Sequence, residues 1–381
     1  MRILIIKTFP KEIKTTHLTY NVQEIGLAVA LRKNGHETDV LCCSDDNLNR
    51  DSVLKQDNVC VTVYSRKAIR FLQNGWPLNV ENLLNSYDLL QPAEYNQMYS
   101  WYLAKKYPNK TVVYHGPYYC SFNKNYNLMA KVFDIFFLSR YKKYRTRFIT
   151  KSKLAKKYLQ QKGLENIDAV GVGLNTSFLD GSSSVNDKWI QQVKACKELK
   201  LLYIGVLEER RNTIFLLKVL SEVHKLGVDA KLVIVGKFSD EKYKIEFHST
   251  LHSLHLAEYV LYRDRFQQNQ LPELYQACDI FLFPTRYDIY GMVLLEAMYF
   301  GLPVISTMNG GAEMMIVDTV NGFVIDDYNA VAWAEKVKYI SQNLSIKKSI
   351  GLSAKTTITD KFVWDKLVNQ FITVYENTLS Q

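Results

Sequence analysis

Residues 3–42 contain the segments ILII at 3–6, VQEIGLAVALRKN at 22–34 and TDVLC at 38–42. The first is a short, fully apolar strand signal, and the apolar residues of the second recur with the helical period until Gly35 ends it. The third indicates another strand. A strand, a helix and a strand in this order form a βαβ unit, which predicts a doubly wound α/β sheet with parallel strands.

The same alternation continues along the chain and restarts after residue 187. In the first half, strand signals lie at 89–90, 111–114, 148–150 and 168–172, with helical stretches between them. In the second half, a helix signal lies at 214–225 and strand signals lie at 200–204, 231–235, 259–262, 280–283, 303–306 and 322–324. Residues 175–187 are rich in Ser, Gly, Asp and Asn, which is typical of a linker. We therefore predict two Rossmann-like domains, at 1–175 and 198–361, with a linker at 176–197 and a central ligand cleft across which they face each other.

The composition is that of a globular protein. Of 381 residues, 47% are hydrophobic and 23% are charged, without a biased tract, which excludes disordered and collagen-like chains. The apolar run in MRILIIKTFP is too short for a secretory signal, and no stretch approaches the roughly 18 apolar residues of a membrane span. Six cysteines without CxxC spacing are too sparse for a disulfide framework, so we expect a reducing, cytoplasmic setting.

Positive charge is concentrated in the first half of the chain. Residues 1–175 hold 26 Lys and Arg against 14 Asp and Glu, whereas residues 176–381 hold 22 against 24. The segment 140–157 contains nine basic residues and no acidic one. We expect an anionic partner, favouring a membrane surface that binds residues 131–157, although a solvated helix face is the alternative. The basic residues proposed for this contact are Lys142, Lys143, Arg145 and Arg147.

The most informative motif is FPTRYDIYGMVLLEAMYFGLPVIS at 283–306. It predicts a strand, a turn that carries Asp288, and a helix that starts near Gly291 and carries Glu296. Free backbone N–H groups and the dipole at a helix start favour anions, and Gly291 lets a ligand approach the backbone closely. From the residues alone, an alternative stays open: Asp288 merely caps the helix and Glu296 is solvated.

This stretch resembles the E-x7-E signature of retaining, nucleotide-sugar-dependent glycosyltransferases of family four, which have the GT-B fold of two Rossmann-like domains. YGMVLLEAMYFGLPVI follows the family pattern almost residue for residue. Six further segments resemble family motifs in the family's order, namely residues 34–40, 112–118, 169–178, 203–212, 309–325 and 364–379. The last resembles the family's closing helix, so we expect about 362–381 to join the first domain. The match is to bacterial enzymes of surface-polysaccharide synthesis.

The resemblance implies transfer of a sugar from a nucleoside diphosphate, UDP more than GDP, to an acceptor hydroxyl with retained configuration. It implies that Asp288 and His115 act catalytically at the sugar and that Glu296 holds the ribose. The other donor-binding residues that it implies are Gly205, Arg210, Arg211, Arg263, Tyr290, Gly291 and Met292. It further implies a glycan or lipid-linked acceptor, no metal or other cofactor, and a position at the inner face of the plasma membrane.

The sequence departs from the family pattern at several positions. The first acid of E-x7-E is Asp288, one methylene shorter than Glu, and Val206 replaces an arginine that contacts the diphosphate. Arg211 stands at the family's lysine position and can bind phosphate in a bidentate manner. Arg210 beside it is either a second phosphate ligand or solvated. The family's paired glycines in the first loop are absent, since residues 17–19 read HLT.

Two other functions stay open. A catalytically silent GT-B scaffold would explain the departures, and a nucleic-acid-binding or base-modifying GT-B protein would suit the basic first half, although we expect no nucleic-acid partner. His115 has a structural alternative as well, as a satisfied core histidine. Three histidines at 248, 252 and 255 have helical spacing that suits a metal, but no carboxylate accompanies them, and we predict no metal site.

Overall fold

The computed structural model describes residues 1–14, 22–179, 187–266 and 268–380, which divide into two compact units. Unit 1 comprises Met1–Asn175 and Val363–Gln381, and unit 2 comprises Thr176–Phe362. The first loop at 17–19 lies outside the described residues, so our expectation for it stays a prediction.

Unit 1 contains strands and helices in alternation. Its strands are β1 (Arg2–Ile6), β2 (Glu37–Cys43), β3 (Arg50–Gln56), β4 (Val59–Arg66), β5 (Ala68–Phe71), β6 (Asn74–Pro77), β7 (Leu89–Pro92), β8 (Val112–His115), β9 (Arg147–Thr150) and β10 (Ile167–Ala169). Its first helices are α1 (Gln23–Lys33), α2 (Glu81–Asn85), α3 (Met98–Lys106), α4 (Lys124–Lys143) and α5 (Lys153–Gln161).

The predicted βαβ unit is present as β1, α1 and β2. The apolar strand β1 is buried and pairs in parallel with β2, with Ile3 opposite Thr38, because α1 crosses over the sheet. The sheet order is β3-β4-β2-β1-β7, and β10-β9-β8 forms a second sheet. Isolated parallel bridges, Leu90 to Thr111 and Ala93 to Tyr114, connect the edge of β7 to β8.

Two antiparallel pairs of strands lie between β2 and β7, where the sequence analysis assigned no element. β3 pairs with β4, and β5 pairs with β6. Along β3 the exposed and half-buried positions alternate, because only one face of this edge strand packs on the sheet. The sequence analysis missed these strands because a strand with one solvent-exposed face lacks the continuous apolar run of the buried parallel strands.

Unit 2 repeats the α/β alternation. Its strands are β11 (Leu199–Ile204), β12 (Ala230–Val235), β13 (Val260–Arg263), β14 (Ile280–Phe283), β15 (Val304–Ser306) and β16 (Phe323–Val324). Its helices are α6 (Lys188–Ala195), α7 (Thr213–Lys225), α8 (Glu241–Ser253), α9 (Leu271–Ala277), α10 (Met292–Tyr299), α11 (Gly310–Met315), α12 (Ala330–Gln342) and α13 (Leu344–Lys361). The sheet order is β13-β12-β11-β14-β15-β16, and each neighbouring pair of strands is parallel.

The structure at the two ends of unit 2 can be compared with the predicted domain boundaries. Helix α6 lies inside the stretch predicted as a linker and packs against α9, so this part of the segment is structured. Residues 180–186 of the same stretch lie outside the described residues. The chain then returns to unit 1 through α14 (Trp364–Leu379), whose Trp364 N–H donates to the Leu174 carbonyl at 3.1 Å.

Within the described ranges, none of the helices combines the length and the apolar content that a membrane crossing requires.

Candidate donor and sugar sites

The turn between β14 and α10 brings several predicted residues together. Gly291 has a φ of 74°, a backbone conformation that glycine adopts readily, and α10 starts directly after it at Met292. The Asp288 carboxylate closes this turn, because its Oδ1 accepts hydrogen bonds from the backbone N–H groups of Tyr290 at 3.0 Å and Gly291 at 2.8 Å. The amides that the sequence predicts as phosphate ligands are therefore held by Asp288. Asp288 therefore closes the turn that precedes α10 and does not cap the helix, whose N-cap residue is Gly291.

Arg211 lies against the same turn. It ends a 3₁₀ helix, Glu209–Arg211, and its Nη1 donates to Asp288 Oδ2. The side chains of Arg211 and Asp288 are only 19% and 11% exposed. Burial lowers the pKa of the Arg211 guanidinium, and among the described residues its buried Nε has no hydrogen-bond partner. The structure thus places one buried cation and two backbone N–H groups around a single carboxylate.

Arg210 stabilises the neighbouring loops. Its Nη1 donates to the Tyr287 carbonyl at 2.8 Å, and its Nη2 lies 2.6 Å from Glu208 Oε1. The Arg210 side chain is 32% exposed, so it is partly solvated and partly engaged in these contacts. Its guanidinium links the 3₁₀ helix to the turn that carries Asp288, while a contact with phosphate stays a prediction.

Glu296 lies within α10 and is completely buried, so the alternative that it is solvated is wrong. Its Oε2 accepts a hydrogen bond from the Tyr275 hydroxyl at 2.8 Å. A buried carboxylate requires such partners, because leaving the charge without them costs several kcal/mol. Tyr275, on α9, was missed because no motif around it distinguishes it from a core aromatic residue.

Gly205 follows β11 and has a φ of 149°, and its N–H donates to the Val235 carbonyl at 2.9 Å. Gly236, at the end of β12, has a φ of 156°, and a Cβ there would collide with the Gly205 carbonyl. The two glycines thus allow two strand ends to approach closely. Gly236 was missed by the sequence analysis, although a glycine directly after a strand is a usable signal.

Arg263 has a different environment from the one predicted. It ends β13, and its Nη1 donates to both carboxylate oxygens of Asp187 at 2.7 and 2.8 Å. Asp187 in turn accepts from the N–H groups of Trp189 and Ile190 at the start of α6. The structure therefore assigns Arg263 to an ion pair at the start of α6, and its predicted contact with the donor requires that pair to open.

In unit 1, His115 ends β8 and is fully buried. Its Nδ1 lies 2.7 Å from Glu94 Oε2, which also accepts from the Gly116 N–H at 3.0 Å. Lys151 Nζ lies 3.7 Å from the other oxygen of Glu94. Burial opposes the charge of Glu94, but the hydrogen bond with His115 and the charge of Lys151 outweigh it, so the pKa of Glu94 lies below its ordinary value of 4.5. Glu94 was missed because nothing in the sequence pairs it with His115.

The predicted membrane segment has a different chemical character from the one expected. Lys142 and Lys143 end α4 and are exposed, as is Arg145, but Arg147 is mostly buried and pairs with Asp168 at 3.4 Å. The aromatic rings of Tyr141 and Phe148, which lie among these basic residues in the sequence, are buried in the core. The exposed apolar residues of α4 lie earlier on the helix, with exposures of 44% to 77%, and are Leu128, Met129, Val132, Ile135 and Phe136.

Among the residues that the structure describes, no cluster of three or more histidine, cysteine or acidic side chains could hold a metal ion. Helix α8 ends at Ser253, and His255 beyond it has a φ of 54°. The three histidines at 248, 252 and 255 therefore do not share one helix, contrary to the spacing argument.

Comparison with known proteins places this geometry in a family context. Residues 185–356 match the family model of the glycosyl transferases group 1. A glycosyltransferase of uncharacterised function from Methanocaldococcus jannaschii is 26% identical over 181 residues, which cover 47% of this chain and 45% of that protein. A D-inositol 3-phosphate glycosyltransferase from Xylanimonas cellulosilytica is 24% identical over 151 residues, which cover 39% of this chain and 36% of that protein. The matched stretches thus span less than half the length of these curated relatives.

The structural likeness extends over the whole chain. The HepE protein of Anabaena, solved in complex with UDP, has a TM-score of 0.75 at 15% identity, over 99% of this chain and 100% of that chain. A second HepE structure, in complex with UDP-glucose, has a TM-score of 0.70 at 16% identity, over 100% of both chains. Residues 185–356, which make up most of unit 2, thus match the model of the glycosyl transferases group 1, and the chain as a whole has the GT-B fold.

Proposed function

We propose that this protein is a retaining, metal-independent glycosyltransferase that moves a sugar from a nucleoside diphosphate to an acceptor hydroxyl. The observation that carries the proposal is the buried Arg211 guanidinium beside the start of α10. This guanidinium and the backbone N–H groups of Tyr290 and Gly291 all donate to the Asp288 carboxylate. A helix start with an adjacent arginine is an anion site by its chemistry, and a diphosphate suits it. Asp288 holds these donors in the absence of a ligand.

The chemistry follows from the leaving group. When the bond between the anomeric carbon and the phosphate oxygen breaks, negative charge develops on the diphosphate. Arg211 and the amides of Tyr290 and Gly291 would stabilise that charge. The acceptor oxygen forms the new bond on the same face of the sugar, and its proton passes to the released phosphate oxygen. Glu296 would hold the ribose hydroxyls.

A diphosphate and the Asp288 carboxylate compete for the same donors. When the diphosphate binds to Arg211, the Asp288 side chain loses part of its hydrogen bonding and becomes available to the sugar hydroxyls. This gives Asp288 two functions, as a turn-closing group without donor and as a sugar ligand with it. His115 would form a hydrogen bond with another sugar hydroxyl, either as donor or as acceptor.

UDP is the favoured nucleotide and GDP the second. The support is the HepE likeness, since that protein is solved with UDP and with UDP-glucose. For the acceptor we propose a lipid-linked glycan intermediate of surface-polysaccharide synthesis, reached at the inner face of the plasma membrane. The support for this setting is the positive charge of the first half of the chain and the surface of α4.

The exposed face of α4 gives the proposed membrane contact its chemistry. Leu128, Val132, Ile135 and Phe136 follow helical spacing, so they share one stripe of the helix. Asp134, the acidic residue of α4, is only 18% exposed and pairs with Lys162. The helix also carries four exposed basic residues, namely Lys131, Arg140, Lys142 and Lys143. An apolar stripe with basic flanks is the pattern of a helix that lies in the interface of an anionic membrane.

Donor turnover tests the proposed reaction. We expect thermal stabilisation by UDP or GDP, because a ligand that binds the folded state raises its stability. We expect slow hydrolysis of the matching nucleotide sugar, unchanged by EDTA, with NMR showing that the released sugar first has the donor's anomeric configuration. Stabilisation without any hydrolysis or transfer would favour a silent scaffold, and neither effect with any nucleotide would contradict the proposal.

A further inference from the structure

The Glu94 and His115 pair has features that packing alone does not require. Glu94 follows β7 and has a φ of 60°, a left-handed conformation that costs a non-glycine residue about 1–3 kcal/mol unless its surroundings enforce it. Its backbone N–H donates to the Tyr114 carbonyl at 2.9 Å, directly beside His115. This conformation directs the Glu94 carboxylate at the imidazole. Strained backbone of this kind is concentrated at functional sites.

The contacts define which nitrogen of His115 carries the proton. The Glu94 carboxylate is ionised, since its pKa is lowered, and it can only accept hydrogen bonds. The 2.7 Å contact with Nδ1 therefore requires a proton on Nδ1. The Tyr95 N–H also points at Nδ1, but at 3.5 Å, and this contact is too long to compete with the carboxylate.

The second nitrogen of His115 has no such partner. Nε2 is buried and, among the described residues, makes no hydrogen bond. A buried polar atom in this state costs about 1–3 kcal/mol, so a purely structural histidine would be expected to be paired at both nitrogens or replaced by an apolar residue. The ring itself is held by aromatic neighbours, edge-on to Tyr95 at 4.9 Å and stacked on Tyr158 at 6.2 Å.

We propose that Glu94 is a positioning residue that holds the proton of His115 on Nδ1, so that Nε2 accepts a hydrogen bond from a hydroxyl group of the bound sugar. This inference rests on the glycosyltransferase function proposed above. It adds Glu94 to the site and specifies that His115 Nε2 is the hydrogen-bond acceptor. In the proposed tautomer the only ring proton is on Nδ1, so Nε2 is an acceptor and the ligand group is a donor. Lys151 and the Gly116 N–H fix the carboxylate in turn, by occupying both of its oxygens.

NMR of the ring nitrogens tests the positioning step without any turnover. The full-length protein is labelled with ¹⁵N-histidine, and the His115 signals among the seven histidines are assigned with His115→Gln. We expect the Nδ1–H tautomer in the wild type and a mixture or the Nε2–H tautomer in Glu94→Gln, because the amide can donate as well as accept. The matched control is Glu37→Gln, which removes an exposed carboxylate paired with Arg2 and should leave the tautomer unchanged. An Nε2–H tautomer in the wild type, or no change in Glu94→Gln, would overturn the inference.

Kinetics separate positioning from a merely structural role. We expect Glu94→Gln to lower kcat by about tenfold to a hundredfold, as misplacing a sugar contact does, while UDP affinity stays within about twofold. A structural role alone would lower the melting temperature and leave kcat of the folded enzyme unchanged, which would overturn the proposal. If the wild type itself turns over no donor, the proposed function fails and the sugar contact falls with it. The tautomer measurement then still reports separately whether Glu94 controls the imidazole.

Discussion

At the scale of single residues, the Asp288 carboxylate accepts from the hydrogen-bond donors that we propose for the diphosphate. One of its oxygens accepts from two backbone N–H groups and the other pairs with Arg211. The shorter acid at this position of the family motif therefore suits a turn-closing role as well as a role at the sugar. Because Asp288 and the proposed diphosphate compete for these donors, removing the Asp288 carboxylate is expected to strengthen nucleotide binding.

We expect Asp288→Asn and Asp288→Ala both to bind UDP more tightly than the wild type, because Arg211 loses its internal partner. Asn can still accept from the two amides, so its stability should stay close to wild type, whereas Ala should lose about 1 kcal/mol, as the loss of a side-chain hydrogen bond typically costs. Transfer should fall in both. Calorimetry with UDP and chemical denaturation measure the two effects. The control is Asp240→Asn, which changes the cap of α8 in the same unit, and tenfold weaker UDP binding by Asp288→Asn would contradict the account.

A second residue-level prediction concerns pH. Because the folded pKa of Glu94 lies below 4.5, its ionised form contributes stability above the unfolded pKa, and this contribution is lost as the pH falls through the folded value. The difference in the free energy of unfolding between wild type and Glu94→Gln should therefore be larger at pH 7 than at pH 3. Urea denaturation at both values measures it. An equal difference at the two pH values would show that the contact with His115 does not lower the pKa of Glu94.

At the scale of elements, the first residue of α14, Trp364, packs against two glycines elsewhere in unit 1. A Cβ on either Gly26 of α1 or Gly173 would collide with the Trp364 indole. Gly26→Ala should therefore destabilise the protein by about 1–3 kcal/mol, although alanine is the better helix former by about 1 kcal/mol. In a Trp364→Ala background the same change should be neutral or stabilising. Equilibrium denaturation of the four proteins gives the coupling energy, and additive effects would refute the contact.

The elements also show where sequence reasoning succeeds and where it ends. The buried parallel strands β1 and β14 and the helices that follow were predictable, because apolar runs, glycine and the family motif agree there. The hairpin β5–β6 was not, because its turn at Leu72 and Gln73 has φ values of 44° and 63° without the usual glycine or asparagine. The environments of Glu94, Tyr275 and Asp187 were unpredictable for another reason: their partners lie 21, 21 and 76 residues away.

At the scale of the whole molecule, the two halves of the sequence differ in charge and therefore in expected partners. Residues 1–175 carry the excess of basic residues and include α4, whereas residues 176–381 hold nearly equal numbers of basic and acidic residues and include the proposed donor site. This division predicts that membrane binding and nucleotide binding can be removed independently.

We expect the protein to co-sediment with vesicles that contain anionic phosphatidylglycerol more than with neutral phosphatidylcholine vesicles, and less at high salt. The double variant Ile135→Ser, Phe136→Ser should lower this binding at least about tenfold, since each side chain contributes about 1.5–3 kcal/mol when buried. Replacing Lys142 and Lys143 with Ser should reduce mainly the salt-dependent part.

The matched control for the vesicle experiment is Ile245→Ser, which removes an equally exposed isoleucine from α8 of unit 2 and should leave binding unchanged. Nucleotide affinity should be the same in all of these variants. Wild-type binding that is equal for both vesicle types, or unaffected by the α4 variants, would rule out docking through α4.

The central claim is that Arg211, which lies beside the start of α10, is the main ligand of a nucleoside diphosphate. Calorimetric titration of UDP and GDP tests this claim most directly. The wild type is compared with Arg211→Ala and with Lys225→Ala, which removes an exposed positive charge from the other end of α7. A charged hydrogen bond contributes about 1.5–3 kcal/mol, so Arg211→Ala should weaken binding at least about tenfold while Lys225→Ala binds as the wild type does. Unchanged affinity in a folded Arg211→Ala variant, or no binding of either nucleotide to the wild type, would contradict the account.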